Sequence, residues 1–151
     1  MLVPSPFLGP SSWRPTGDVL ADHGHPVAIA CTRMTTRADE DHVTPWVDEI
    51  LDLGIAEPGL PVVVVGHSAA GPRLPLLVDR LLANGERVVA MIVVDGRFPD
   101  GRAFTESEPH YGQLLDGLLR PDDYLPPWPR WWGSLVSGVV VDDMARHLVL
   151  E

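Results

Sequence analysis

Along the first 95 residues, short and uniformly apolar runs alternate with longer stretches whose apolar positions recur every three or four residues. Residues 25–32, 60–66 and 87–95 are the apolar runs. Each is too short for a helix and too uniformly apolar for a strand with one wet face, so each predicts a parallel strand covered on both sides. Residues 1–3 predict a fourth, short strand that runs into a Pro/Ser/Gly loop.

Helical periods fill the gaps. Ser11 and Ser12 precede a helix over residues 13–23, with Trp13, Val19 and Leu20 on its apolar face and Gly24 as its stop. Thr44 and Pro45 open a helix over residues 46–53, with Pro45 at a favourable first position and Gly54 just past the end. Trp46, Ile50 and Leu53 form its stripe, flanked by Val47 and Leu51. After Gly71 and Pro72, residues Leu74, Leu77, Val78, Leu81 and Leu82 follow a helical period that Asn84 and Gly85 close. The order β-α-β-α-β-α-β predicts an α/β fold: a doubly wound, mainly parallel sheet of about four strands with helices on both faces.

The character changes after residue 95. A polar loop over residues 98–109 leads to a short helical pattern at 110–119. Residues 121–132 hold four prolines and three of the five tryptophans, which excludes a regular element. Residues 134–151 read as a helix in their last turns, with Val141, Met144 and Leu148 aligned. The chain is therefore expected to form a single domain, 1–151, with its sheet core in 1–100 and an irregular or helical cap-like segment in 101–151.

Composition narrows the chemistry. All 11 basic residues are arginines, which excludes a P-loop lysine, a Schiff-base lysine and a Ser-Lys dyad. A net charge of −10, with the arginines scattered, argues against a nucleic-acid partner. Hydrophobic residues make up 45 %, enough for an ordinary core without staples. Cys31 is the single cysteine, so no internal disulfide forms. The first residues lack a basic stretch and are broken by Pro4 and Pro6, unlike a secretory signal, and no apolar run approaches the ~20 residues of a membrane span. A cytoplasmic protein with no membrane partner is expected.

One segment carries chemistry. A run of four valines ends in Gly66-His67-Ser68-Ala69-Ala70-Gly71, and a helix follows at once. In that context Gly-x-Ser-x-small becomes a nucleophile elbow, with a serine on a sharp strand-to-helix turn and its hydroxyl above the sheet. Small neighbours are needed because the serine backbone is strained; Gly66 and Ala70 occupy those places, alanine replacing the usual second glycine. The start of the following helix favours an oxyanion. Asp95 ends the run at 87–95, at the carboxyl edge of the expected sheet, where open α/β folds bind ligands. Taken by itself, it caps the strand and hydrogen-bonds the turn at Gly96.

With these features the chain resembles the α/β-hydrolase superfamily over roughly residues 1–100. Residues 2–9 look like the strand and oxyanion loop of that family, Gly24-His25 the lead into the next strand, residues 61–66 the strand before the nucleophile, and residues 87–95 the strand after it. The resemblance implies a serine hydrolase of the esterase type, with a small acyl or ester substrate and no cofactor or metal. Ser68 is then the nucleophile and Asp95 the candidate acid. The backbone N–H of Ala69 is one oxyanion donor. The other comes from the loop after residue 3, where Pro6 has no N–H and Phe7 or Leu8 must supply it.

Two departures stand out. The family's usual His-Gly at the oxyanion loop is Pro4-Ser5 here, and the chain ends before the family's last strands and its catalytic histidine. The base is thus unassigned. His67 adjoins Ser68 but is expected to point away from it; His23, His25 and His42 lie on other segments; His110 and His147 reach the site only if the tail folds over the sheet edge. Trp128, Trp131 and Trp132 either wall an acyl pocket or pack the tail. The cluster Asp39-Glu40-Asp41-His42 lacks metal-ligand spacing and reads as a solvated loop, and Asp122-Asp123 and Asp142-Asp143 as turn or helix-start residues.

Two other readings stand beside the hydrolase. One is a non-catalytic, truncated hydrolase-like scaffold or binding protein. The other is an acyltransferase, which would need a longer chain and a cationic partner for the substrate carboxylate. A core ending at the apolar strand 88–94 would also leave an edge through which two copies could pair as a homodimer.

Overall fold

A computed structural model describes residues 1–6, 8–32, 43–55 and 57–98, all within one compact unit of the chain. The expected elements at 110–119 and 134–151, the Pro/Trp segment, and the acidic cluster around Asp39 lie outside the described residues.

Strands β1 (Leu2–Val3), β2 (Val62–His67) and β3 (Val88–Val94) form a parallel sheet in the order β1-β2-β3. The architecture is α/β. Three helices accompany it: α1 (Arg14–Asp22), led in by a 3-10 turn at Pro10–Trp13; α2 (Val43–Leu53); and α3 (Leu74–Ala83). No helix among the described residues is long and apolar enough to cross a membrane.

The strand expected over residues 25–32 is reduced to one parallel bridge between Leu2 and Ile29. Leu2 donates to the Ala28 carbonyl at 2.7 Å and accepts from the Ala30 amide at 2.8 Å. The ladder stops there because the neighbouring chain continues into Pro4 and Pro6, which have no N–H to offer. On its other side β1 is longer in effect than its two residues. The Met1 ammonium donates to the Val63 carbonyl at 2.9 Å, and the Val65 amide donates to the Met1 carbonyl at 3.0 Å.

Side chains on adjacent strand residues point to opposite faces, and this separates two layers. Val3, Val62 and Val64 pack with Trp46, Val47 and Ile50 of α2 and Leu74, Leu77 and Leu81 of α3 in one core. Burial of these helix residues follows the 3.6-residue period. The predicted faces shift in detail: Leu53 and Leu82 are exposed, and on α1 Val19 is 57 % exposed while Gly17 is buried. A Cβ at Gly17 would come 2.9 Å from Ile29 Cδ1, so α1 meets the 27–29 segment through its backbone. The strands are not sealed on both faces. Burial alternates along β2, and β3 exposes Val89, Ile92 and Val94 because, among the described residues, it is an edge with β2 as its only strand neighbour.

Candidate active site

Ser68 is the first residue after β2, and its φ is 53°. A left-handed backbone costs an L-residue about 1–2 kcal/mol, so the surroundings must hold it there. Close packing does so from three sides. A Cβ at Gly66 would come 2.6 Å from Leu74 Cδ1, one at Gly71 2.5 Å from the Arg97 carbonyl oxygen, and one at Gly96 2.5 Å from the carbonyl oxygen of Ser68 itself. Ala69, Ala70 and Gly71 are buried in this contact. The small residues at 66 and 70 were legible as a motif; Gly71 and Gly96, which take the closest backbone approaches, were not. Their signal was only a glycine before Pro72 and another directly after Asp95.

Asp95 stands beside the serine. β2 and β3 pair His67 with Val94, so Ser68 and Asp95 are the next residues on neighbouring strands, both at the carboxyl edge of the sheet. Asp95 has φ 47°; it and Ser68 are the two non-glycine residues with positive φ among those described. The sheet thus ends in a paired left-handed turn, with a hydroxyl on one strand and a carboxylate on the next.

The helix after the serine does not begin as an α-helix. Ser68–Arg73 is a 3-10 turn, and α3 starts only at Leu74. Pro72 and Pro75 have no N–H, which removes the α-type donors to the carbonyls of Ser68 and Gly71. Pro72 also removes the 3-10 donor to the Ala69 carbonyl. The Arg73 side chain replaces it, Nη1 donating to that oxygen at 2.6 Å.

His67 closes the face opposite Gly66. Its ring meets Trp13 edge-on, with centroids 6.2 Å apart and planes at 85°. Burial holds its pKa below the usual value, and the charge of Asp95 offsets part of that shift. Elsewhere, His23 Nδ1–H donates to the Val19 carbonyl at 2.8 Å at the end of α1, and His25 is exposed. His42, His110 and His147 lie outside the described residues. Among the described residues, His67 is thus the histidine that Asp95 acts upon.

Of the two residues expected to complete the oxyanion loop, Leu8 donates its amide to the Ser5 carbonyl at 2.8 Å, and Phe7 lies outside the described residues. The Ala69 amide is in the first turn after β2, where helical N–H groups lack intrahelical acceptors. No group of three or more metal-ligating side chains occurs among the described residues. In comparison with known proteins, the chain matches no family model, no curated protein and no solved structure.

Proposed function

We propose that this chain is a serine hydrolase of the α/β type, acting on an ester or related acyl bond through Ser68. The observation that carries the reading is the left-handed Ser68 at the end of a parallel strand, held by close contacts at Gly66, Gly71 and Gly96. In this reading Ser68 Oγ attacks the substrate carbonyl and forms an acyl-enzyme as the alcohol leaves with a proton. Water then releases the acid and restores the serine. The N–H groups of Ala69 and Phe7 stabilise the tetrahedral oxyanion. Asp95 is the acid that orients the base, in the manner of triads in general.

A second reading, the non-catalytic scaffold, rests on one specific observation. Among the described residues, the Ser68 hydroxyl has no side-chain hydrogen-bond partner. A serine without a base is an ordinary alcohol. A fluorophosphonate probe separates the two. Stoichiometric labelling that is lost in Ser68→Ala supports the hydrolase; no labelling, under conditions that label a known esterase, refutes it. Copies are further proposed to pair through β3, whose Val89 and Ile92 are exposed. Sedimentation as a monomer would refute that pairing.

A further inference from the structure

The turn after Ser68 is held by a side chain where a backbone donor would ordinarily serve. A 3-10 turn bonds each carbonyl to the N–H three residues on, so within Ser68–Arg73 the Ala69 carbonyl would accept from residue 72. Residue 72 is a proline and has no N–H. Ala69 is buried, and a buried carbonyl without a donor loses its hydration for nothing in return. Arg73 Nη1 donates to it at 2.6 Å, a charge-assisted bond stronger than the amide bond it replaces.

This is not the simplest way to satisfy one carbonyl. The guanidinium lies 5.9 Å over the ring of Trp46, a buried residue, and its Nε is buried without a hydrogen-bond partner. Burial also lowers its pKa. Any residue but proline at position 72 would serve the carbonyl without burying a cation. What the proline adds is rigidity. Its ring fixes φ at about −65°, and its missing N–H keeps the turn from relaxing into an α-helix, in which the Ser68 carbonyl would accept from residue 72. Proline and arginine together clamp the turn, one through the backbone and one through the side chain. Both act on Ala69. In the same 3-10 pattern the Ala69 N–H has no carbonyl within the turn to bond. Tying down the carbonyl of Ala69 fixes that residue's torsions, and with them the direction of its free N–H.

We propose that Arg73 is a positioning residue, which holds the Ala69 N–H in place as an oxyanion donor by binding the Ala69 carbonyl. The proposal rests on the hydrolase reading for what that N–H does. Arg73 acts through Ala69 and needs no contact with the substrate.

The test is the concentration dependence of fluorophosphonate labelling, with urea denaturation showing that each variant is folded. Arg73→Met keeps most of the side-chain volume and removes the donor. Its maximal labelling rate should fall about tenfold to a hundredfold at an unchanged half-saturating probe concentration, because the serine stays while the oxyanion loses its aligned donor. Adding Pro72→Ala to Arg73→Met returns a backbone N–H to the turn without the charge. It should restore the rate to within about threefold of wild type. If Arg73→Met does not fold, this double variant carries the test. Equal maximal rates in wild type and Arg73→Met would overturn the proposal. So would a double variant that stays slow or fails to fold, since the missing donor would then not be the cause. Nuclear magnetic resonance separates this outcome from the hydrolase reading: the carbonyl-carbon and amide resonances of Ala69 should shift in Arg73→Met and return in the double variant. An unlabelled wild type in which those resonances shift and return refutes the hydrolase alone. A labelled wild type in which they do not respond refutes the positioning role alone.

Discussion

Gly96 lies so close to Ser68 that a methyl group on it would sit 2.5 Å from the Ser68 carbonyl oxygen and 2.8 Å from Val93 Cγ1. The first obstacle is backbone and cannot swing away as a side-chain tip would. Gly96→Ala is therefore expected to destabilise the fold by about 1–3 kcal/mol through overpacking. It should also displace the serine, so that fluorophosphonate labelling falls while the protein is still folded. Urea denaturation and labelling of the same sample check both halves; unchanged labelling at full stability would refute the contact.

The left-handed backbone at residue 68 predicts a difference between two variants that both lack the serine hydroxyl. Ser68→Ala keeps the strain, whereas Ser68→Gly relieves ~1–2 kcal/mol of it. Glycine gives back ~0.4–1 kcal/mol through the greater freedom of the unfolded chain. The glycine variant should therefore be the more stable by about 0.5–1 kcal/mol. Equal denaturation midpoints would show that Ser68 is not strained.

Gly66 and Leu74 meet across the start of the turn, and their variants should be coupled. Gly66→Ala drives a Cβ to within 2.6 Å of Leu74 Cδ1 and should cost about 1–3 kcal/mol. Leu74→Ala empties a fully buried site in the α2/α3 core and should cost about 2–5 kcal/mol. In the double variant the new methyl occupies part of the vacated space. A double-mutant cycle should therefore give a total cost smaller than the sum, by about 0.5 kcal/mol or more.

His67 predicts a specific slope of stability with pH. Its pKa in the fold lies below the ordinary value of about 6.5, burial outweighing the pull of Asp95. Between those two pKa values the unfolded chain binds a proton that the folded chain does not, so stability rises with pH across that window. The contribution is complete above about pH 6.5 and is lost as pH falls through the folded pKa. His67→Gln should flatten the slope. Asp95→Asn, tolerated at φ 47° because asparagine accepts left-handed backbone, removes the opposing charge and should extend the slope to lower pH. Denaturation midpoints from pH 4 to 8 test both; identical slopes in all three proteins would place His67 outside the titration.

The parts legible beforehand were those determined by neighbours in the chain. Four consecutive valines, a Gly-x-Ser-x-small sequence and a following leucine period specify β2, a turn and α3 regardless of what surrounds them. The sharpness of the turn at Ser68 was readable for the same reason, since small residues on both sides permit it. Even there the local chemistry was finer than the motif. Pro72 and Pro75 delay the α-helix to Leu74, and Arg73 repairs the carbonyl that Pro72 leaves unpaired.

What only the tertiary structure decided depends on segments far apart in sequence. The apolar run at 25–32 looked as strand-like as the others, yet its pairing ends at one bridge because the chain beside it becomes proline-rich. Whether Val63 or Val89 is covered depends on which helices reach that face, and strand periodicity does not encode this. His67 lies against Trp13, Arg73 against Trp46, and Gly96 against Ser68, each through packing of separate elements. The sequence by itself determined where the serine of a sharp strand-to-helix turn would stand. Packing decided its backbone strain and its neighbours, because a side chain's environment is a property of the assembled layers.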